Sequence, residues 1–202
     1  MTNYYYSSDP DVTHAEKVWD FELLGQTFSF VTDNGVFSKN TVDYGSRVLL
    51  HALEKTAFSG KILDVGCGYG PIGLALAKKN PEAVVTMVDV NTLALELAQK
   101  NAMRNQIKNV EIFSSDVYDE VAETDYDAIV TNPPIRAGKD VVHAILAGAY
   151  AHLRKGGTLT AVLQKKQGAP SAKKKMTEIF GNCEVILKDK GYFILQSKKV
   201  ND

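Results

Sequence analysis

The stretch Lys61-Ile62-Leu63-Asp64-Val65-Gly66-Cys67-Gly68-Tyr69-Gly70-Pro71 constrains the fold of this chain more than any other. A short apolar run ends in three closely spaced glycines, and Pro71 opens a run that reads as helical as far as Lys79. Glycine lacks a Cβ and tolerates φ > 0, so such a turn is sharp and another group can approach its backbone closely. Proline suits the first turn of a helix, where its missing N–H has no intrahelical acceptor. The stretch therefore predicts a buried strand over Lys61–Val65, a tight turn, and a helix over Pro71–Lys79.

The same alternation continues downstream. A helix over about 42–55 precedes the glycine strand. After it come strand Val84–Asp89, a helix over 92–105, and strands over 110–113 and 127–131. A long helix over about 139–153 is expected to end at Lys155-Gly156-Gly157, with glycine past its last turn. A strand over 158–163, a helix over 171–180 and strands over 184–187 and 192–196 complete the chain. The last two strands are joined through Lys188-Asp189-Lys190-Gly191, which suggests an antiparallel hairpin. Upstream, Lys17–Leu23 and residues 26–31 alternate around Leu24-Gly25 and read as another hairpin. Alternating strands and helices make an α/β fold. The expected architecture is Rossmann-like and doubly wound, with a mostly parallel seven-stranded sheet, an antiparallel C-terminal hairpin strand and a short N-terminal β-hairpin. Residues 1–40 read as an N-terminal extension carrying that hairpin, and residues 41–202 as the main domain.

The glycine turn is not a dinucleotide fingerprint. That motif needs a third glycine five residues after the first, and Pro71 stands there. Asp64, an acid at a strand end, suits a cationic aminoacyl sulfonium better than a pyrophosphate. Asp89 ends the next strand, 23 residues past Gly66, near the spacing at which a carboxylate reaches ribose hydroxyls. One strand on, Ser114-Ser115-Asp116 places a carboxylate where it can accept from an adenine amino group, although an acid in such a loop is as often simply solvated. Three acids at successive strand ends mark one edge of a parallel sheet, where ligands of such folds bind.

Asn132-Pro133-Pro134-Ile135 halts an apolar strand. Proline cannot donate to a sheet ladder, and each proline holds its predecessor extended, so the loop is stiff and presents carbonyls and one amide. An exocyclic amine on a purine is a poor nucleophile because its lone pair is delocalised. If Asn132 Oδ1 and the Pro133 carbonyl accept its two N–H bonds, the nitrogen is pushed towards tetrahedral geometry. Catalysis then rests on positioning and placed dipoles, with no strong base required. The plain alternative is a loop that merely ends a strand.

With 202 residues and 45% hydrophobic content, the chain suffices for one good-sized domain. No apolar run approaches the ~18 residues of a membrane span, and the opening Met1-Thr2-Asn3-Tyr4-Tyr5-Tyr6 does not resemble a secretory signal. Cys67 and Cys183 are too few for a disulfide framework, and neither sits in a metal-ligand spacing. The expectation is a cytoplasmic protein with reduced thiols, no metal and no membrane contact, and with Cys67 as a small pocket-lining residue. The near-neutral net charge of −1 conceals an asymmetry. Residues 1–135 carry 10 Lys/Arg against 19 Asp/Glu, whereas residues 136–199 carry 13 against 4. The basic third includes Arg136, Lys139, Lys165, Lys166 and Lys173-Lys174-Lys175. It reads either as a solvated helix face or as a surface that meets nucleic-acid phosphate.

In order along the chain, Gly35-Val36-Phe37-Ser38, Val42-Asp43-Tyr44-Gly45-Ser46, Asp64–Pro71 and Asn132–Ile135 resemble class I S-adenosylmethionine-dependent methyltransferases. The closest resemblance is to the small-methyltransferase-domain group that includes bacterial 16S ribosomal RNA guanine-N2 methyltransferases, over roughly residues 15–198. The resemblance implies S-adenosylmethionine as cofactor, bound by Asp64, Gly66, Cys67, Gly68, Asp89, Val90, Asp116 and Asn132. It implies a target amine held by Asn132 and Pro133, and a substrate side of Phe37, Asp43, Pro134, Ile135, Arg136, Lys139, Lys165 and Lys166. Read from the residues alone, Phe37 is equally a packed aromatic and Asp43 a helix cap. The implied substrate is ribosomal RNA or the small ribosomal subunit. Adenine-N6 and glutamine methyltransferases usually place an aromatic after Asn-Pro-Pro, where this chain has Ile135, so guanine N2 leads and stacking falls to another residue such as Phe37. The fuller ribosomal enzymes add an N-terminal domain, whereas about 40 residues precede the first main helix here. A protein amide or small amine as acceptor, and a non-catalytic RNA-binding module, remain as alternatives.

Overall fold

A seven-stranded sheet carries the molecule in the computed structural model, which describes residues 15–201. The reading of Met1–Tyr6 lies outside the described residues. Strands β1 (Lys17–Leu23) and β2 (Gln26–Thr32) form a separate antiparallel hairpin. Both residues of its turn, Leu24 (φ 53°) and Gly25 (φ 70°), are left-handed, as a two-residue hairpin connection matched to strand twist requires. Helix α1 (Tyr44–Ala52) leads to β3 (Lys61–Val65), α2 (Pro71–Lys79), β4 (Val84–Asp89), α3 (Thr92–Arg104) and β5 (Val110–Ser114). Then follow β6 (Tyr126–Thr131), α4 (Lys139–His152), β7 (Leu153–Gln164), α5 (Ala169–Phe180), β8 (Glu184–Asp189) and β9 (Tyr192–Lys198). The sheet order is β5-β4-β3-β6-β7-β9-β8, with β3 to β7 parallel and β9 antiparallel to both neighbours. The expected architecture is borne out, including the C-terminal hairpin.

Strand order reverses between β3 and β6. In open α/β sheets, ligands bind in the crevice beyond the strand C-termini at such a switch point. Here the glycine turn follows β3 and the Asn-Pro-Pro loop follows β6. Thr131 Oγ1 donates to the Val65 carbonyl at 2.8 Å and ties the two strand ends together.

The central strands are apolar on both faces because helices cover both. Ile62, Val85 and Met87 pack with α1, α2, α3 and the hairpin. Leu63, Val65 and Ile129 pack with α4 and α5. The hairpin is fixed to α3 by two asparagines. Buried Asn101 accepts from Val31 N at 2.6 Å and donates to the carbonyls of Val31 (3.1 Å) and Tyr69 (2.9 Å). One turn later, Asn105 accepts from Ser29 N and donates to Ser29 O, both at 2.9 Å. The two amides stand in for a neighbouring strand and satisfy backbone groups of β2 that would otherwise lack partners.

One expectation needs correction. Gly156-Gly157 does not end α4. The helix stops at His152, and Leu153 is already extended. Pairing of β7 with β6 skips from Tyr126–Leu153 to Ala128–Thr158, so the glycines form a bulge inside a twelve-residue strand. A Cβ on Gly157 would lie 2.7 Å from the Tyr126 carbonyl oxygen, and relief of that clash is what this glycine supplies.

Candidate active site

A crevice of about 810 Å³ opens at the switch point. One wall holds Gly66, Cys67, Gly68, Asp89, Val90 and Asp116; the other holds Asn132, Pro133, Pro134, Ile135 and Arg136. The loop between β2 and α1, residues 34–41, lies over it and contributes Phe37, which is 55% exposed at the mouth. Tyr69 donates to the Thr41 carbonyl at 3.3 Å and pins that loop to the glycine turn.

The floor is held by carboxylates. Asp89 accepts from Gly68 N (2.8 Å) and Asn91 N (2.9 Å), one bond per oxygen. A carboxylate has about four lone-pair sites, so with the Val90 N–H also against it, room remains for one hydroxyl donor. Burial pushes its carboxyl upward, and the N–H groups of Asn91, Gly68 and Val90 oppose that shift. Asp64 is fully buried and does not line the crevice. Its place follows from strand parity: it shares a face with Ile62 and points to α2, where Oδ2 accepts from Gly73 N at 2.9 Å. Oδ1 has no partner among the described residues. Burial raises this carboxyl to about 7, partly opposed by the Gly73 N–H and reinforced by the charge of Asp89. Cys67 is likewise raised by burial, so its sulfur stays a thiol and is no nucleophile.

Asp64 gives a pH prediction. An aspartate ordinarily titrates near 3.8 and this one near 7, so between those values the folded state holds a proton that the unfolded chain has lost. The contribution of Asp64 to stability therefore falls as pH rises through that window, by about 4 kcal/mol at ~1.4 kcal/mol per unit. Asp64→Asn keeps an acceptor for Gly73 N and removes the titration. Urea unfolding across the window should show the parent losing stability relative to the variant as pH rises. Parallel pH profiles would contradict this assignment.

The Asn132 amide is tightly constrained. Its Nδ2 donates to Asp43 Oδ2 at 2.6 Å and to Ser46 Oγ at 3.0 Å. Both hydrogens are used, and among the described residues Oδ1 has no donor. Asp43 is the N-cap of α1 and accepts from Gly45 N and Ser46 N, both at 2.9 Å. Ser46, Gln164 and Tyr192 also line the crevice, and Gln164 Nε2 donates to the Tyr192 hydroxyl at 2.7 Å. Ser46 stood in the sequence within the Val42–Ser46 segment that carries the resemblance. Gln164 ends parallel β7 and so reaches the same edge as Asn132, whereas Tyr192 reaches the site because β9 inserts between β7 and β8, which no local pattern announces. Lys139, Lys165 and Lys166 are exposed and lie outside the lining, beside Arg136 and Gln164, which are part of it.

The crevice suits a nucleoside with an aminoacyl tail. A Cβ on Gly68 would meet nothing within 4 Å, and one on Gly66 only Pro134 Cδ at 3.9 Å, so open space lies over both. Their φ values of 57° and 76° also disfavour any side chain. The Asp89 carboxylate supplies negative character for ribose hydroxyls, while Asp64 lies buried beneath the turn, outside the lining.

A family profile described as methyltransferase small domain matches residues 27–196. An uncharacterized Bacillus subtilis protein, YbxB, is 50% identical over 99% of this chain and 100% of its own. The ribosomal RNA small subunit methyltransferase C of Erwinia tasmaniensis is 33% identical over 92% of this chain and 53% of its own. In three dimensions, a T. thermophilus 16S rRNA N2 methyltransferase solved with AdoMet and guanosine superposes with a TM-score of 0.83. It is 30% identical, and the match covers 94% of this chain and 51% of that one. The chain thus spans about half the length of the ribosomal RNA methyltransferases it matches. With the profile covering most of its length, the chain belongs to the methyltransferase small domain family.

Proposed function

We propose that this chain is a cytoplasmic S-adenosylmethionine-dependent N-methyltransferase that acts on the exocyclic N2 amine of a guanine in 16S ribosomal RNA. One observation carries the reading: the open Oδ1 of Asn132, whose Nδ2 is fully engaged, and the stiff Pro133 corner share a crevice with an open glycine turn and Asp89. The T. thermophilus relative with guanosine supports the acceptor.

In this reading, Gly66, Cys67 and Gly68 lie under the aminoacyl side of the cofactor, with Asp64 beneath them. Asp89 and Val90 receive the ribose, and Asp116 receives the adenine. When bound, the cofactor supplies an electrophilic methyl group. Asn132 Oδ1 and the Pro133 carbonyl accept the two N–H bonds of the guanine amine, which turns its lone pair out of conjugation with the ring. Fixed dipoles do this without reorganisation, and as the N–C bond would form while the methyl–sulfur bond breaks, the N–H would become acidic enough to lose its proton to water, so the site needs no strong base. Pro134 and Ile135 continue the corner beside the base, and exposed Phe37 offers the stacking face that Ile135 lacks. Arg136, Lys139, Lys165 and Lys166 meet phosphate around the mouth. Ribosomal RNA, free or within the small subunit, is then the macromolecular partner.

The test is transfer of labelled methyl from S-adenosylmethionine to bacterial 16S RNA and to small subunits, followed by nucleoside analysis. N2-methylguanosine is the expected product. Label found only in protein or in a small molecule refutes the acceptor. Binding to the RNA should also weaken steeply with added salt, because lysine and arginine contacts release counterions. Salt-independent binding would contradict the phosphate contacts.

A further inference from the structure

The proposed chemistry depends on which end of the Asn132 amide faces the acceptor. The two ends have nearly the same shape, and a half-turn of the amide exchanges an acceptor for a donor. A donor presented to an amine has nothing to bind. We infer that Asp43 and Ser46 are positioning residues that hold Oδ1 of Asn132 towards the acceptor amine. This inference rests on the reading of Asn132 as an amine clamp.

Their chemistry dictates one orientation. The Asp43 carboxylate carries only acceptors, so the group 2.6 Å from its Oδ2 must be the amide nitrogen. Ser46 Oγ spends its hydrogen on Asp43 Oδ2 at 2.7 Å, which leaves it only lone pairs to offer Nδ2 at 3.0 Å. The pair is itself immobilised. Asp43 Oδ1 and Oδ2 hold Gly45 N and Ser46 N, and α1 is anchored by buried Val48, Leu49 and Leu50. Capping alone does not account for the residue type. Asn, Ser and Thr also cap helices, but only a side chain with no donor both caps α1 and refuses the Asn132 carbonyl.

Asp43→Asn separates the two roles. The introduced amide still caps α1 through its one oxygen, giving up one of the two N–H bonds that the carboxylate accepts, and its own NH2 attracts the Asn132 oxygen and turns the Asn132 NH2 into the crevice. The expected result is a fall of about 10²-fold in kcat for methyl transfer to 16S RNA. KM for S-adenosylmethionine and the Tm should stay close to the parent values. Asp43→Asn/Asn132→Asp should recover at least about tenfold over the single variant, because the carboxylate placed on the β6 loop can accept from the amide now capping α1 and still present an oxygen outward. A kcat within twofold of the parent, a loss matched by equal losses in cofactor affinity and Tm, or a double variant no better than the single one overturns the proposal.

The side-chain NH2 signal of Asn132, identified by its loss in Asn132→Ala, provides a readout independent of the acceptor. In ¹⁵N-labelled protein it should exchange with water slowly, and at least about tenfold faster in Asp43→Asn. An unchanged rate overturns the orienting role. Should the parent transfer no label to RNA, the proposed function falls and this signal alone decides the positioning role.

Discussion

Asn132→Ala is expected to lose methyl transfer by about 10²–10³-fold in kcat, the range seen when one preorganised hydrogen-bond group is removed from a polar catalytic site. The loss belongs in kcat because the amide meets the amine most strongly when the nitrogen has become tetrahedral and its N–H bonds more acidic. Cofactor affinity should fall far less than kcat, since the glycine turn and Asp89, which carry most of the proposed cofactor contacts, are held by bonds that do not involve Asn132. The fold should also persist: Asp43 still caps α1 through Gly45 N and Ser46 N. Calorimetric titration with S-adenosylmethionine beside single-turnover transfer separates these effects. Parent-like turnover by the variant would remove Asn132 from the chemistry.

The second large effect concerns stability. Asn101 is fully buried, and truncation to alanine strands Val31 N, Val31 O and Tyr69 O without partners. At about 1–3 kcal/mol for each buried group left unsatisfied, with some relief from relaxation, Asn101→Ala should cost about 3–5 kcal/mol. That is a large part of the ~5–15 kcal/mol typical of a domain, and it should lower the Tm by about 10 °C. The site should suffer with it, because Tyr69 adjoins the glycine turn and pins the loop that carries Phe37. Calorimetric melting checks this, and a loss below about 1 kcal/mol would show that β2 does not depend on α3.

The elements that local chemistry bounds were legible in the sequence. Lys61–Val65, Pro71–Lys79 and Val84–Asp89 stand where the apolar runs, glycines and Pro71 place them. The hairpin turns at Leu24-Gly25 as read. Gly156-Gly157 misled because a glycine pair after a helix serves a C-cap and a bulge equally well, and only the approach of the Tyr126 carbonyl selects the bulge. The strand-end residues Asp89, Asp116 and Asn132 could be gathered from order alone, since a parallel sheet brings successive strand ends to one edge. Asp64 belongs to the same strand end but faces away from the crevice, and two-residue periodicity together with its position against Gly73 explains why. Gln164 ends parallel β7 and shares that edge, whereas Ser46 and Tyr192 depend on long-range topology: the docking of α1 beside β7 and the insertion of β9. The sequence also presented Asp43 as a cap or as a closing residue, while its bond to Asn132 spans 89 positions and has no local signature.

A crystal structure of this protein with S-adenosylhomocysteine and guanosine would test the amine clamp at Asn132 and Pro133 most directly. The cofactor sulfur is expected beside the Gly66–Gly68 turn and the guanosine N2 within about 3 Å of both Asn132 Oδ1 and the Pro133 carbonyl oxygen. Guanosine seated with N2 away from that corner, or Asn132 presenting Nδ2 to it, would rule out the clamp.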